Sequence, residues 1–182
     1  MNTSKLVGQR AAISLARQRG ASLLEGIAYL GIAAIVVLGA VSLLTGAFTS
    51  AQSNRVSEEV VSIRTAVKKL YMGQSSNYGT ASLMPILITS KVLPTTITVD
   101  ATANTATNSW GGAVTVTGNG GNKFNIAYVD VPEDACINIL SGASGWSNIT
   151  GSKSTVTAIP VTPDGAQAAC AAGNNLITWT SF

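Results

Sequence analysis

The chain has 182 residues, of which 46% are hydrophobic and only 10% charged, with a mean hydropathy of +0.34, which suits one modest domain plus a lipid-facing segment rather than an ordinary soluble enzyme. Its net charge of +3 is local: Lys5, Arg10, Arg17 and Arg19 lie in the first twenty residues, and beyond Gly20 seven basic side chains face eight acidic ones, too sparse a set to line a nucleic-acid groove. Histidine is absent, which removes the commonest general base and metal ligand; with no G-x-S-x-G, no clustered metal ligands and no phosphate loop, no catalytic, metal or cofactor site is expected.

In chain order, the first element is a basic leader, residues 1–20, ending in the stretch RQRGASLLEG. From Gly26 to Asn54 no charge occurs, and Ile27 to Phe48 is long enough to cross a bilayer as a helix. A cleaved secretory signal fits poorly, because the apolar run is too long and no clear cleavage site follows it. Glu25 stands at the head of this block, where a carboxylate is costly unless paired or protonated. A cut after Gly20 would create an α-amino group at Ala21, four residues from Glu25. Within one helix that amine points away along the axis, so the better partner for Glu25 is the amine of a neighbouring subunit.

A short basic leader ending in glycine, a glutamate as the fifth residue after it and an unbroken apolar helix together resemble the class III signal of type IV pilins. The resemblance implies that Gly20 is read by a prepilin peptidase, that Ala21 becomes the mature N-terminus, a site of methylation, and that Glu25 guides docking into a helical filament. A twenty-residue leader followed by alanine is closer to the type IVb branch. The block lacks the mid-helix proline of many type IVa pilins and carries Ser42 among Gly39, Ala40 and Gly46. Such glycines weaken a helix by up to about 1 kcal/mol each, or let helices pack closely.

After the apolar segment, residues 21–53, comes an amphipathic continuation, residues 54–73. Val56, Val60, Ile63, Val67 and Leu70 alternate at steps of four and three, which predicts one apolar stripe. Arg55 and Glu59 are one turn apart, placed to pair weakly on the wet face; Glu58, Glu59, Arg64, Lys68 and Lys69 are candidates for inter-subunit bridges, but most of them are expected to be simply solvated. With Gly73 as terminator, a single helix is predicted from near Ser22 to near Met72, about 75 Å long.

Residues 74–182 read as a head. In 74–107 a short helix is expected around Ser82 to Thr89, and TTITVDATANTATNS is expected to be an exposed polar loop. Residues 108–131 hold the clearest hairpin: Ala113 to Thr117 and Lys123 to Val131 joined by GNGGN, preceded by Asn108, Trp110, Gly111 and Gly112, which resemble a turn of type IVb pilins and pseudopilins. In 132–182 a helix is expected from Pro132, with Glu133 and Asp134 as partners of its dipole, and strands at Thr155 to Val161 and Leu176 to Thr180. The sequon at Asn148 reads as incidental. Cys136 and Cys170 lie across the apolar block from the basic leader, hence on the exported side, where an even pair reads as a disulfide.

The expected fold class is α+β, a long N-terminal helix packed on an antiparallel sheet, as in the type IV pilin fold. The resemblance implies a major pilin that polymerises with identical copies, with the prepilin peptidase, the inner-membrane assembly machinery and a host or recipient cell surface as partners, and no nucleic acid directly. The chain would pass from the inner membrane to an extracellular pilus used in adhesion, aggregation or conjugative mating contact. Two other readings stay open: a pseudopilin of a type II-like secretion system and a signal-anchored periplasmic binding domain. The cysteine pair and the large Thr/Asn-rich head favour the major pilin over the pseudopilin, since a fibre outside the cell needs protection from shear and proteolysis.

Overall fold

The structure, a computed structural model, describes residues 22–73 and 77–182. The leader, with Gly20, and the following Ala21 lie outside the described residues. Contacts divide the chain into two units, Met1–Ser42 and Leu43–Phe182.

Helix α1, Leu23–Leu70, supplies all of the first unit's described structure from Leu23 onward and opens the second. Its sequence holds no proline, an acid (Glu25) in the first turn and Lys68 and Lys69 in the last, charges that complement the helix dipole. Hydroxyls are absorbed by the helix itself: Ser53, Ser57 and Thr65 each donate to the carbonyl four residues earlier at 2.8 to 3.0 Å. In the second unit Val56, Val60, Ile63 and Val67 are buried and Leu70 half-buried, so the stripe seen in the sequence is the buried face. Full burial of each such side chain contributes about 2 kcal/mol.

That stripe shares its core with a seven-stranded, wholly antiparallel sheet. Its strands are β1 (Thr98–Asp100), β2 (Thr105–Thr107), β3 (Ala113–Gly118), β4 (Phe124–Pro132), β5 (Asn148–Thr150), β6 (Thr155–Val156) and β7 (Asn174–Ser181), in the order β1-β2-β3-β4-β7-β5-β6. The C-terminal strand is therefore internal, bonded to β4 on one side and β5 on the other. Register aligns apolar residues in rows across the sheet: Val116 opposite Ile126, Ile126 opposite Trp179, and Trp179 opposite Ile149. All four are buried. A second row runs from Val114 through Tyr128 to Ile177. Three short helices, α2 (Met84–Thr89), α3 (Glu133–Leu140) and α4 (Pro163–Ala169), complete the head.

The β3–β4 hairpin forms as the sequence predicts, its GNGGN turn using left-handed backbone at Gly120 and Gly121. Asn108 organises the turn before it. Its amide donates to the Val129 carbonyl at 2.7 Å, and its Oδ1 accepts from the backbone N–H groups of Trp110 and Gly112. Gly112 lies so close to Val129 that a Cβ there would collide with that residue's carbonyl.

Several expectations are corrected. The stretch TTITVDATANTATNS is not a loop: it holds the β1–β2 hairpin, turned by Asp100, whose Oδ1 accepts from Thr102 N–H at 2.8 Å and Ala103 N–H at 3.1 Å, and by Asn104 in left-handed backbone. The strand expected at Thr155 to Val161 stops at Val156, because Val161 bonds the 142–143 backbone instead. Pro132 ends β4 and stands just before α3 rather than in its first turn. Helix α4 was not foreseen; Pro163 opens it and the Thr162 hydroxyl accepts from Gly165 N–H at 3.3 Å. The Asn148 sequon lies in β5, whose Ile149 belongs to the central row.

Cys136 on α3 and Cys170 just after α4 form a disulfide with a Cα–Cα distance of 6.1 Å and both residues buried. It closes a 34-residue separation that contains β5, β6 and α4, and such a loop contributes about 3 to 4 kcal/mol by restricting the unfolded chain. Cys136→Ser is expected to lower head stability by about 3 kcal/mol, read as the denaturant midpoint of the oxidised protein. A midpoint equal to wild type would contradict the assignment of stability to this bridge.

Candidate assembly site

In the first unit every large apolar side chain from Leu23 to Val41 that α1 carries is exposed, with Leu23 at 85% and Leu30 at 72%. The most apolar window of α1 has a mean hydropathy of 2.5 and none of it is buried. Such a surface has no aqueous solution of its own; it needs lipid or other apolar helices. Glu25 is the one charge at its head, and it too is exposed. It accepts a hydrogen bond from the Tyr29 hydroxyl at 3.3 Å, one turn along. Gly20 and Ala21, the other two residues assigned to processing and docking, fall outside the described residues. The helix runs unbroken through Gly39, Ser42 and Gly46, and a Cβ at Gly26, Gly31, Gly39 or Gly46 would meet nothing within 4 Å. Nothing in the subunit alone requires glycine there.

In the second unit the charged residues of α1 are not all solvated. Glu59 is only 3% exposed. Its Oε2 accepts a hydrogen bond from the Tyr128 hydroxyl on β4 at 3.2 Å, and its Oε1 has no donor among the described residues, Arg55 included. The expected Arg55–Glu59 pair on the wet face is thus corrected: Glu59 faces the sheet, in the same stripe as Val56, Val60 and Ile63. The step of three from Val56 and four to Ile63 places residue 59 on the apolar face, a signal present in the sequence but overruled there by residue type.

From Tyr128 an aromatic chain leads back to the helix. Tyr128 meets Trp179 edge to face at 5.7 Å, Trp179 meets Trp146 at 6.4 Å, and the Arg64 guanidinium lies 4.7 Å above the Trp146 ring. Lys68 sits 5.6 Å over the Phe182 ring. Arg64 and Lys68, expected to be solvated, are half-buried cations stacked on rings. Burial first, and then the neighbouring Arg64 charge, lower the Lys68 pKa. Burial first, then the Glu59 charge and hydrogen bond, push the Tyr128 hydroxyl far above the usual tyrosine range.

An apolar helix headed by a glutamate, an antiparallel sheet holding the C-terminal half of that helix, and a disulfide-tied C-terminal region together define a type IV pilin. The family described as PilS N terminal matches residues 50–182. The major structural subunit of bundle-forming pilus from Escherichia coli O127:H6 (strain E2348/69 / EPEC) is 31% identical over 144 residues, covering 74% of this chain and 72% of the relative. That of Escherichia coli O111:H- is 29% identical over 149 residues, covering 77% and 75%. Among solved structures, the type IV b pilin from Salmonella typhi matches with a TM-score of 0.50 at 26% identity, over 63% of this chain and 90% of that one. The chain belongs to the PilS family and is a type IVb pilin.

The sign of the Tyr128 shift gives a test. Its folded-state pKa is raised above the unfolded value of about 10, so the stability it carries is intact below pH 10 and is lost as pH rises beyond it. The thermal midpoint of the detergent-solubilised chain is expected to fall more steeply above about pH 10 in wild type than in Tyr128→Phe. Parallel profiles for the two proteins would refute this account of the phenol.

Proposed function

We propose that the chain is the major structural subunit of a type IVb pilus, made as a precursor, cut by a prepilin peptidase after Gly20 and polymerised through its apolar helix into a surface filament. Residues 1–20 are the leader, 21–53 the membrane and then filament-core segment, 54–73 the amphipathic half of the same helix and 74–182 the head. The observation that carries the reading is the apolar helix itself: an exposed surface of this hydropathy is at rest in a bilayer before assembly and among the same helices of other copies afterwards. A polymer satisfies both conditions with one segment.

Glu25 is the docking residue in this reading. In a low-dielectric helix bundle its carboxylate needs a partner, and the amine of a neighbouring copy's Ala21, freed by cleavage, is a cation of the right kind. The Tyr29 hydroxyl supplies one hydrogen bond to the carboxylate and leaves its charge unneutralised, which keeps it available for that amine. The chain acts structurally rather than as an enzyme, and the filament reaches the cell exterior. The relatives are subunits of a bundle-forming pilus, which favours aggregation among the uses of the fibre, with adhesion and mating contact as further uses.

Two measurements test the proposal together. The N-terminal residue of protein sheared from expressing cells is expected to be Ala21, and Glu25→Ala is expected to keep that cleavage while lowering filament yield by about tenfold or more. Sheared protein that still begins at Met1, or Glu25→Ala filaments at wild-type levels, would sink the corresponding half.

A further inference from the structure

Glu59 is a carboxylate whose burial the subunit by itself does not explain. It is 97% removed from solvent, and its Oε1 has no hydrogen-bond donor among the described residues. Its other oxygen is bonded by a neutral group, the Tyr128 hydroxyl, which satisfies one acceptor and supplies no positive charge. A buried, unpaired carboxylate is strongly unfavourable unless a cation completes it. Glu59 also lines a cleft of about 220 Å³ together with Arg55, Glu58, Ser62, Pro94 and Thr96. The cleft therefore joins an incompletely satisfied buried charge to a second carboxylate, Glu58, and to the hydroxyl-bearing residues Ser62 and Thr96.

We infer that this cleft receives the ammonium group of a lysine from a second copy of the chain, so that the Glu59 charge is completed on assembly. The inference rests on the reading of the chain as a filament subunit. Two carboxylates against one guanidinium leave the lining with a net negative charge, which complements a single cation and repels an anion. A hard divalent metal suits it poorly: such ions take six or more oxygens, often several of them charged, and among the described residues no group of three or more metal-binding side chains occurs. Lysine fits better than arginine, because a compact ammonium with three donors on a flexible stem can reach an inset carboxylate. The second unit exposes four lysines able to serve as that donor: Lys69 in the last turn of α1, and Lys91, Lys123 and Lys153, the last two within turns between strands. A cleft on one copy that takes a lysine from elsewhere on another can repeat from copy to copy as a heterologous contact, which builds an open helical filament where the rotation does not close.

Glu59→Gln in the full-length chain tests the inference, since it keeps an acceptor for Tyr128 and removes only the charge. Sheared filament yield is expected to fall by about tenfold or more, while the thermal midpoint of the detergent-solubilised subunit stays the same or rises. One of the four single Lys→Gln variants is expected to reproduce the loss. Wild-type filament yield in Glu59→Gln overturns the inference. So does a lowered subunit midpoint, which would make the charge an internal structural one, and so does the same loss in Arg55→Gln, which would assign the carboxylate to its own helix. Filaments that dissociate in EDTA and re-form with calcium would replace the lysine by a metal ion. Wild-type chains that form no filament at all would remove the filament reading itself, a result separable from all of these.

Discussion

The head depends on one contact surface, the stripe Val56, Val60, Ile63 and Val67 of α1 buried in the core it shares with the sheet. The helix brings a continuous apolar stripe to the core of a sheet whose central rows are Val116, Ile126, Trp179 and Ile149, and Val114, Tyr128 and Ile177. The stripe consists of β-branched residues, which have modest helix propensity. Their burial outweighs that deficit, so this part of α1 is a helix because of what it packs against. Near its middle lies the Glu59–Tyr128 hydrogen bond, which joins the helix to β4 at a single polar point and so gives an otherwise slippery apolar contact a register.

The second dependence is topological. Because β7 lies between β4 and β5, the sheet stays in two pieces until the last residues of the chain are in place. Before that, β4 has a bare edge and the β5–β6 pair is not paired to any other strand of the sheet. Non-local pairing of this kind is slow and entropically expensive. The Cys136–Cys170 bridge lies in the segment between β4 and β7, where it shortens the effective loop that must close before β7 can pair. It joins α3 to the end of α4 beside the start of β7. The cross-link therefore acts on the least local step in the fold.

How much of this could be read from the residues follows from the type of signal each element carries. The apolar block, the 3–4 stripe of α1 and the β3–β4 hairpin are periodic or compositionally extreme over many residues, and all three stood out. Elements β1, β2 and β5 are three residues each, too short for alternation to register. The β1–β2 hairpin was hidden by its turn, because Asp100 and Asn104 are residues that also mark plain loops. The α4 signal was present in the Thr162–Pro163 pair, a capping residue followed by proline, but Ala, Gly and Gln after it offered no apolar stripe. At the candidate site the outcome divides by chemistry. The place of Glu25 in the first turn of α1 was legible because a charge interrupts an apolar run. The place of Glu59 on the apolar face was in the spacing but was outweighed by residue type; its bond to Tyr128 and the stacking of Arg64 on Trp146 were not legible, since they rest on contacts with residues 69 and 82 positions away in the chain.

Glu25 and Glu59 pose the same physical problem in two settings. Each is a carboxylate on α1 with a tyrosine hydroxyl as its hydrogen-bond donor, Tyr29 in one case and Tyr128 in the other, and neither hydroxyl neutralises charge. For an acid that takes a cation on assembly, as proposed for both residues, a phenol is a useful holding partner: it orients one oxygen, tolerates an apolar environment through its ring, and adds no competing charge. An intramolecular lysine or arginine would stabilise the isolated subunit more, and under the proposed assembly it would also occupy the carboxylate that an incoming copy would use. For a chain whose working state is a polymer, the lower stability of the separate subunit is then the condition for selective contact between copies, since a charge left incomplete in one copy discriminates in favour of a partner that completes it.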